Sequence, residues 1–352
     1  MRVVLIYGLK TTDHQWAEAF YPVRRFIEEC KNRSIPLRFL FADEVSVFLK
    51  ENTDSQEKQE TVCLLRGKIA GETFETLEDA GFICINSPKA HKLVADKLKT
   101  ARFLQAHGWP TPNTMPMDAI GNDVSFPVVI KPRFGSRGKG VRLLESQAEF
   151  KTWIAKHRKE GKQASGNGCT AILGNWIFQE YIAGSHGRDL RVFFAGGHIL
   201  AITERRTTTN SFISNIARGG HMYLYFYVNG LDQQKKIPET FRHIIQNIVQ
   251  KSGLWYGTVD FLYTDPGGDW NQVCSGNTDY DTPDADILSG LTVCELNSSP
   301  GFEALETSCG INIAGCVIDQ LLADFSAGSL LPTASSGLPR IIRSGTSTSC
   351  FR

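Results

Sequence analysis

The stretch VCELNSSPGFEALE at residues 293–306 joins an apolar strand to a helix through a Ser-Pro-Gly turn. Glu295 and Asn297 lie two residues apart, so a strand places both side chains on one face. A charged group on a buried strand is costly unless it has a partner. The stretch therefore predicts a polar site at a strand end, where the turn stops the strand directly after its second polar residue.

A second carboxylate, Asp260, occurs in the strand-like segment GTVDFLY. If the two strands are neighbours, Asp260 lies across from Glu295 and Asn297. Magnesium accepts oxygen donors of this kind and usually bridges them to substrate phosphates. Two buried carboxylates repel each other unless a cation or a proton compensates. The pattern predicts a magnesium site, and pairing of the carboxylates with arginine is the alternative.

The composition is that of an ordinary globular protein, with 352 residues of which 41% are apolar. Lys and Arg number 38 against 37 Asp and Glu, so the chain has no global field that would attract nucleic acid or an anionic membrane. The early apolar run VVLIY is too short for a signal peptide or a membrane span. The nine cysteines include no CxxC pair. We expect a cytoplasmic protein with reduced cysteines; a homo-oligomer is left open.

Hydrophobic patterning divides the chain into four parts. Residues 1–90 alternate β-type runs with helical stretches, which predicts an N-terminal α/β domain with a Rossmann-like parallel sheet. Residues 91–185 form a central lobe, and residues 186–325 combine many strands with one long amphipathic helix, which indicates an α+β lobe with a largely antiparallel sheet. Residues 326–352 are rich in Ser and Gly and are predicted to be a flexible tail.

The central lobe contains one predicted helix at 91–108 and two strands, FPVVIK and GVRLLE, that enclose the loop PRFGSRGKG. A further helix is followed by a predicted loop around 159–169. Closely spaced glycines let backbone N–H groups approach an anion, and the loop carries several cations. A lid over phosphates and a solvated surface hairpin both fit this segment. Lys131 ends an apolar strand, where its ammonium needs an anionic partner such as a phosphate.

Several polar groups follow along the chain at predicted strand ends. In WIFQEYI, the backbone around Glu180 could contact an adenine edge, with Tyr181 or Ile182 as an apolar wall. Asp189 and Arg191 share one face of a strand and could pair or flank a cleft. The next strand ends in Glu-Arg-Arg, and the loop ISNIARGG comes after it.

The order of these segments resembles that of the ATP-grasp superfamily, specifically its RimK-type ligase branch. The resemblance runs from about Asn86 to about Leu322 and implies a three-lobed enzyme with ATP between two α+β lobes. It implies that Lys97, Lys131 and Ser136 of the glycine loop contact phosphates and that Glu180, Tyr181 and Ile182 line the adenine site. The implied roles of the later motifs are ribose binding by Asp189, phosphate proximity for Ser214 and Asn215, and Mg²⁺ binding, with Mn²⁺ as the alternative, by Asp260, Glu295 and Asn297.

The resemblance also implies a reaction, in which the γ-phosphoryl group of ATP moves to a carboxylate and an amine then attacks the acylphosphate. ADP and phosphate leave, and the product is an amide. Arg206 and Arg218 are the predicted catalytic residues, since a planar guanidinium suits an acylphosphate or an oxyanion. The expected partners are ATP and an amino acid or peptide.

Three features depart from the family pattern. Ile213 stands where glutamate-adding members carry an arginine, which disfavours glutamate as the incoming substrate. Insertions at about 159–169 and 265–290 are additional; the second contains six Asp without EF-hand spacing and is interpreted as a solvated loop. The tail has no counterpart in the family.

Three alternatives to a small-molecule ligase stay open at this point. One is a glutamate ligase that modifies a protein C-terminus, and another is a nucleotide-binding module without catalysis. The third is a phosphotransferase that stops after phosphorylating its acceptor.

Overall fold

The computed structural model of the chain describes residues 1–8, 13–67, 69, 71–119, 124–164, 173–214, 220–228, 236–271 and 287–330. Outside the described residues lie Asn215, Arg218, most of the insertion at 265–290, the later part of the loop predicted around 159–169, and the tail beyond residue 330. Within the described part the chain forms three β-sheets. No described helix combines the length and the apolar character needed to cross a lipid bilayer.

The first sheet is parallel, as predicted for the N-terminal part. Its strands are β1 (Arg2–Gly8), β2 (Leu37–Phe41), β3 (Thr61–Gly67) and β4 (Ile83–Ile85), in the order β2-β1-β3-β4. Its helices are α1 (His14–Ala19), α2 (Tyr21–Asn32), α3 (Val45–Glu51), α4 (Ser55–Gln59) and α5 (Gly71–Asp79). Strands β1 and β3 are buried along most of their length, which explains their unbroken apolar runs.

The second sheet belongs to the central part and is antiparallel. Its strands are β5 (Thr114–Pro116), β6 (Val128–Pro132), β7 (Arg142–Leu144) and β8 (Trp176–Glu180), in the order β5-β8-β6-β7. The β6–β7 hairpin encloses the glycine loop as predicted. Helix α8 (Gln147–Ala164) packs on this sheet, and it continues through the first part of the loop predicted around 159–169, where Lys, Glu and Gln are good helix formers.

The third sheet has five antiparallel strands, in agreement with the prediction. They are β9 (Arg188–Ala195), β10 (His198–Arg206), β11 (His221–Tyr227), β12 (Tyr256–Tyr263) and β13 (Leu291–Asn297), in the order β11-β10-β9-β12-β13. Helix α9 (Glu239–Ser252) covers one face through its apolar side chains. Helices α10 (Glu303–Cys309) and α11 (Ile313–Ser326) belong to the core shared with the N-terminal sheet.

The single helix predicted over 91–108 is wrong. The segment forms two helices, α6 (Pro88–Ala95) and α7 (Lys97–Ala106), separated by Asp96 in an extended conformation. The Asp96 carboxylate caps α7 by accepting from Leu98 N and Lys99 N at 3.1 and 3.3 Å. It also accepts two hydrogen bonds from Arg133, at 2.8 and 2.7 Å. A short acidic side chain readily accepts hydrogen bonds from the free backbone N–H groups at a helix N-terminus, so Asp96 favours a new helix start. The apolar periodicity of the sequence continues through this position, although the helix itself is interrupted.

The turn after β13 is held by the N-terminal sheet through Arg66. This guanidinium is fully buried and donates to Tyr256 OH at 2.9 Å and to the Pro300 carbonyl at 2.7 Å. Four aromatic rings surround it at 5.3 to 5.8 Å, those of Tyr7, Phe26, Tyr256 and Phe302. Aromatic faces attract a desolvated guanidinium and compensate part of its burial cost. The Ser-Pro-Gly turn is therefore fixed from outside its own strand.

Asn86 performs a similar function at the start of β12. Its side chain is buried and accepts from Trp255 N and Tyr256 N at 2.7 and 2.9 Å. Its amide group donates to the carbonyls of Tyr256 and Ser298 at 2.8 and 3.1 Å. One side chain thus joins the beginning of β12 to the residue that directly follows β13.

We predict that Asn86→Ala lowers the free energy of unfolding by about 3 kcal/mol or more, because several buried backbone groups lose their only side-chain partner and each costs about 1–3 kcal/mol. Urea denaturation followed by circular dichroism measures this loss. Asn52→Ala is the matched control, since Asn52 makes a local bond to Phe48 O at 2.8 Å and should cost about 1 kcal/mol. Equal losses in the two variants would contradict the bridging role.

Candidate active site

The predicted acidic site forms where β12 and β13 pair. Asp260 lies opposite Glu295, and Thr258 lies opposite Asn297. Asn297 donates through its amide to Asp260 Oδ2 at 3.3 Å. The expectation that Asp260 lies across from Glu295 and Asn297 is confirmed. The face of the third sheet that carries Asp260 and Glu295 is polar at this point. On the neighbouring strand β9 the same face becomes apolar toward the C-terminal end, where it carries Phe193 and Ala195.

A β-bulge interrupts the pairing at Cys294. The register passes from Asp260 opposite Glu295 to Phe261 opposite Val293, so Cys294 has no partner on β12. Its thiol donates to Gln179 Oε1 of β8 at 3.9 Å, which brings the central sheet against the acidic strand. Burial raises the pKa of Cys294 to about 11, although the nearby Lys131 ammonium opposes this shift.

Arginines pair with Asp189 and Asp260, which together with Glu295 are called the acidic cluster. Arg191 binds Asp260 through two hydrogen bonds of 2.8 and 2.6 Å, and Arg205 approaches the same carboxylate at 3.3 Å. Arg205 also forms a bidentate pair with Asp189. Asp189 and Arg191 therefore have different partners instead of pairing with each other. Burial alone would raise the pKa of Asp260, but Arg191 and Arg205 lower it below its usual range, so the carboxylate is ionised at neutral pH.

Lys97 links the acidic strand to the glycine loop. Its ammonium lies 3.0 Å from Glu295 Oε1 and donates to the Gly135 carbonyl at 2.6 Å. Its backbone N–H donates to Arg133 O at 3.1 Å. Because Lys97 begins α7, the break at Asp96 places this cation beside both features.

The backbone of the glycine loop takes up conformations that glycine adopts more easily than other residues. Gly135, Arg137, Gly138 and Gly140 all have positive φ. A Cβ at Gly140 would lie 2.8 Å from Pro132 Cγ, so both conformation and space require glycine there. Ser136 is exposed within this loop.

Lys131 lies at the end of β6 with 5% of its surface exposed. Its ammonium lies close enough to Cys294 of β13 for its charge to oppose the rise of that thiol's pKa on burial. A cation held between β6 and the acidic strand favours an anionic ligand at this place.

Of the three residues predicted to line an adenine site, Glu180 is the last residue of β8, and Tyr181 and Ile182 follow it. Glu180 accepts from Asn113 N at 3.0 Å, and Tyr181 shares a 2.6 Å hydrogen bond with His186 Nδ1. Ile182 comes next, directly before a 3-10 turn at Ala183–Ser185. Ser214 lies closer to the acidic cluster, where its hydroxyl donates to Asp189 Oδ1 at 2.8 Å.

The structure does not bring Arg206 to the acidic cluster. Its guanidinium pairs with Glu204, a fully buried carboxylate that also accepts from Tyr225 OH at 2.6 Å and Tyr263 OH at 2.9 Å. Burial and Glu204 raise the pKa of Tyr225 to about 12. Strand alternation places Glu204 and Arg206 on one face and Arg205 on the other. The arginine that contacts Asp189 and Asp260 is thus Arg205, which the sequence analysis missed although the same alternation distinguishes the two.

Asp260 and Glu295 carry carboxylate oxygens and Asn297 an amide oxygen, the donor types that hard cations prefer. The arginine pairing that was the alternative to a metal site is present at Asp260, which binds Arg191 and Arg205, and Glu295 pairs with Lys97. A divalent cation would have to share these oxygens. Among the described residues, no three His, Cys, Asp or Glu side chains cluster closely enough to hold a metal alone. A metal ion at this position would therefore need additional oxygen ligands from substrate or water.

The three-sheet fold is similar to the folds of solved ATP-grasp ligases. The structure matches that of the D-alanine–D-alanine ligase from Bacillus anthracis complexed with ATP, with a TM-score of 0.59 and 15% identity over 93% of this chain and 98% of the other. The RimK domain ATP-grasp protein from Sphaerobacter thermophilus matches with a TM-score of 0.53 and 16% identity, over 91% and 99%.

The model of the RimK-like ATP-grasp domain matches residues 89–268, and the chain belongs to this family. Among curated proteins, β-citrylglutamate synthase B from Danio rerio is 23% identical over 93% of this chain and 74% of its own length. A probable α-L-glutamate ligase from Rhodopirellula baltica is 25% identical over 86% and 68%. The protein is therefore an ATP-dependent ligase of the ATP-grasp class.

Proposed function

We propose that the protein joins the carboxylate of one substrate to the amine of an amino acid or peptide through an acylphosphate. The observation that carries this proposal is the buried Lys131 side chain, which lies close to β13, the strand that bears Glu295. In the proposed reaction, a carboxylate oxygen attacks the γ-phosphorus of ATP and ADP leaves. The amine then attacks the acyl carbon, phosphate leaves, and the amine loses a proton.

Each cluster has a role in this proposal. Lys97, Lys131 and the loop around Ser136 bind phosphates, and the segment Glu180–Ile182 binds adenine. Asp260, Glu295 and Asn297 would hold Mg²⁺, with Mn²⁺ as a substitute, and the bound ion would supply positive charge to the phosphates. Asp189 binds the ribose, and Ser214 and Asn215 contact the phosphates.

Three arginines are candidates for stabilising the acylphosphate, and each is supported by a different observation. Arg218 keeps its proposed role at the acylphosphate from the family resemblance alone. Arg206 keeps the same proposed role, although its guanidinium pairs with Glu204. Arg205 is the more favourably placed cation, because it contacts both Asp189 and Asp260.

A glutamate ligase acting on a protein C-terminus is the second candidate, favoured by the relatives named glutamate ligases. Ile213 weighs against it.

We also propose a cytoplasmic location, supported by six described cysteines that are all free.

ADP release measured over pairs of carboxylates and amines tests the proposal, with hydroxylamine added to trap an activated carboxylate as a hydroxamate. We expect ADP release that requires a carboxylate, and a hydroxamate whose mass identifies it. Lys131→Met should lower the rate by about 10²-fold or more, because an oriented cation on a transferring phosphoryl group contributes several kcal/mol.

Lys251→Met is the matched control, since Lys251 is an exposed lysine in the last turn of α9. ADP release without a hydroxamate would indicate a phosphotransferase. Stabilisation by Mg-ATP without ADP release over the whole panel would indicate a binding module.

A further inference from the structure

Thr258 places a buried hydroxyl beside the proposed metal ligands. It lies on β12 two residues before Asp260, so both side chains lie on one face of the strand. The register sets Thr258 directly opposite Asn297 of β13, just as it sets Asp260 opposite Glu295. Thr258 is fully buried, with 0% of its surface exposed. A hydroxyl withdrawn from water to this extent makes its hydrogen bonds within the protein.

The carboxylate of Asp260 determines how this hydroxyl uses its hydrogen. Burial would raise the pKa of Asp260, and the two arginines together with a hydrogen bond from the Thr258 side chain lower it. An ionised carboxylate only accepts hydrogen bonds, so the hydroxyl hydrogen of Thr258 is directed to Asp260. The oxygen of the hydroxyl then has only its lone pairs left and acts toward other groups as an acceptor.

The side-chain amide of Asn297 lies next to both groups. Its nitrogen Nδ2 is 3.4 Å from Thr258 Oγ1 and 3.3 Å from Asp260 Oδ2. Both neighbours accept at this point, and within an amide only the NH₂ group donates. The nitrogen of Asn297 therefore faces these two oxygens, and the amide oxygen is turned away from them. That oxygen is the atom of the amide that binds a hard cation.

We propose that Thr258 is a positioning residue, which holds the Asn297 amide so that its oxygen faces the metal ion. The proposal rests on the proposed function, in which Asn297 is a metal ligand. Hydrogen-bond partners that orient metal ligands typically contribute about 10–100-fold to metal affinity. Without the hydroxyl, Asn297 keeps Asp260 as an acceptor, so we expect an effect near the lower end of that range.

The test measures binding of Mn²⁺ in the presence of the β,γ-imido analogue of ATP, with free Mn²⁺ detected by electron paramagnetic resonance. Thr258→Val keeps the shape of the side chain without the hydroxyl and should raise the Kd for Mn²⁺ by about tenfold. Thr258→Ser keeps the hydroxyl and should stay within about threefold of the unmodified chain. If Thr258→Val shows no cooperative unfolding in urea, Thr258→Ala replaces it in the same comparison.

Thr61→Val is the matched control for the loss of a buried threonine hydroxyl. Thr61 is 4% exposed at the start of β3, and its hydroxyl donates to Glu57 O at 2.6 Å. The substitution removes a buried hydrogen bond in the N-terminal sheet and should change the Kd for Mn²⁺ by less than about twofold. A loss of Mn²⁺ affinity equal to that of Thr258→Val would overturn the positioning role.

A double-substitution cycle with Asn297→Asp separates the orientation of residue 297 from a direct effect on Asp260. Aspartate carries oxygen at both ends of its side chain, so its orientation no longer matters. In that background Thr258→Val should change the Kd for Mn²⁺ by less than about threefold. A full tenfold effect in both backgrounds would overturn the positioning role.

The outcomes distinguish this inference from the proposed function. If the unmodified chain binds no Mn²⁺ with the analogue, the metal assignment of the proposed function fails and the positioning role fails with it. If the unmodified chain and Thr258→Val bind Mn²⁺ equally, only the positioning role is overturned. Weaker binding by Thr258→Val that Thr258→Ser restores would support it.

Discussion

Glu295→Ala is expected to lower kcat for ADP release by about 10²-fold or more. A divalent cation on a transferring phosphoryl group is worth several kcal/mol, and each 1.36 kcal/mol is a factor of ten in rate. The substitution removes one of the two proposed carboxylate ligands and also the ion pair with Lys97 at 3.0 Å. The measurement is ADP release at saturating substrates over a magnesium titration, in which the variant should need more metal and still remain slow.

Glu303→Ala is the matched control for this prediction. Glu303 is an exposed carboxylate in the first turn of α10, eight residues farther along the same segment. Its removal should change the rate less than about twofold. A Glu295→Ala enzyme with activity within about tenfold of the unmodified protein would sink the metal assignment.

Arg205→Leu is expected to lower the free energy of unfolding by about 3–5 kcal/mol, since removing one partner of a buried ion pair leaves an uncompensated charge. The Arg205 side chain is 14% exposed, and its aspartate partners, Asp189 and Asp260, are 7% and 6% exposed. Asp260 keeps Arg191, whereas among the described residues the remaining side-chain partner of Asp189 is the Ser214 hydroxyl. Urea denaturation at neutral pH measures the loss.

The control for this variant is Arg38→Leu. Arg38 pairs with Glu51 at 2.9 Å, and both side chains are about half exposed. Exposed pairs contribute about 0–1 kcal/mol, so this substitution should have a small effect. If both variants lose the same free energy, the buried cluster has no special energetic role.

Strand alternation was the most informative signal for the site. It placed Glu295 and Asn297 on one face and Asp260 opposite them, and the register of β12 and β13 confirms this arrangement. The terminal position of Lys131 on an apolar strand likewise indicated a buried cation that needs an anion. These predictions depend on spacing within a strand, which is local and has a period of two residues.

Contacts between distant segments were not predictable in the same way. The break at Asp96 depends on Arg133, which lies 37 residues farther along the chain. The assignment of Arg205 to the acidic cluster depends on which neighbours cover each face of β10. The buried position of Arg66 was not predicted, because the run TVCLLR does not indicate that four aromatic rings surround its arginine.

Local rules and segment order were sufficient for the N-terminal parallel sheet, the antiparallel third sheet, the β6–β7 hairpin, the position of the acidic strand and the membership of a ligase superfamily. The four-stranded central sheet was predicted only as that hairpin with flanking elements. The pairing of Asp189 and Asp260 with arginines and the bulge at Cys294 follow only from the packed structure. The physical reason is that periodicity and turn chemistry act over a few neighbouring residues. Ion pairing depends instead on side chains that are brought together only when the strands and sheets pack.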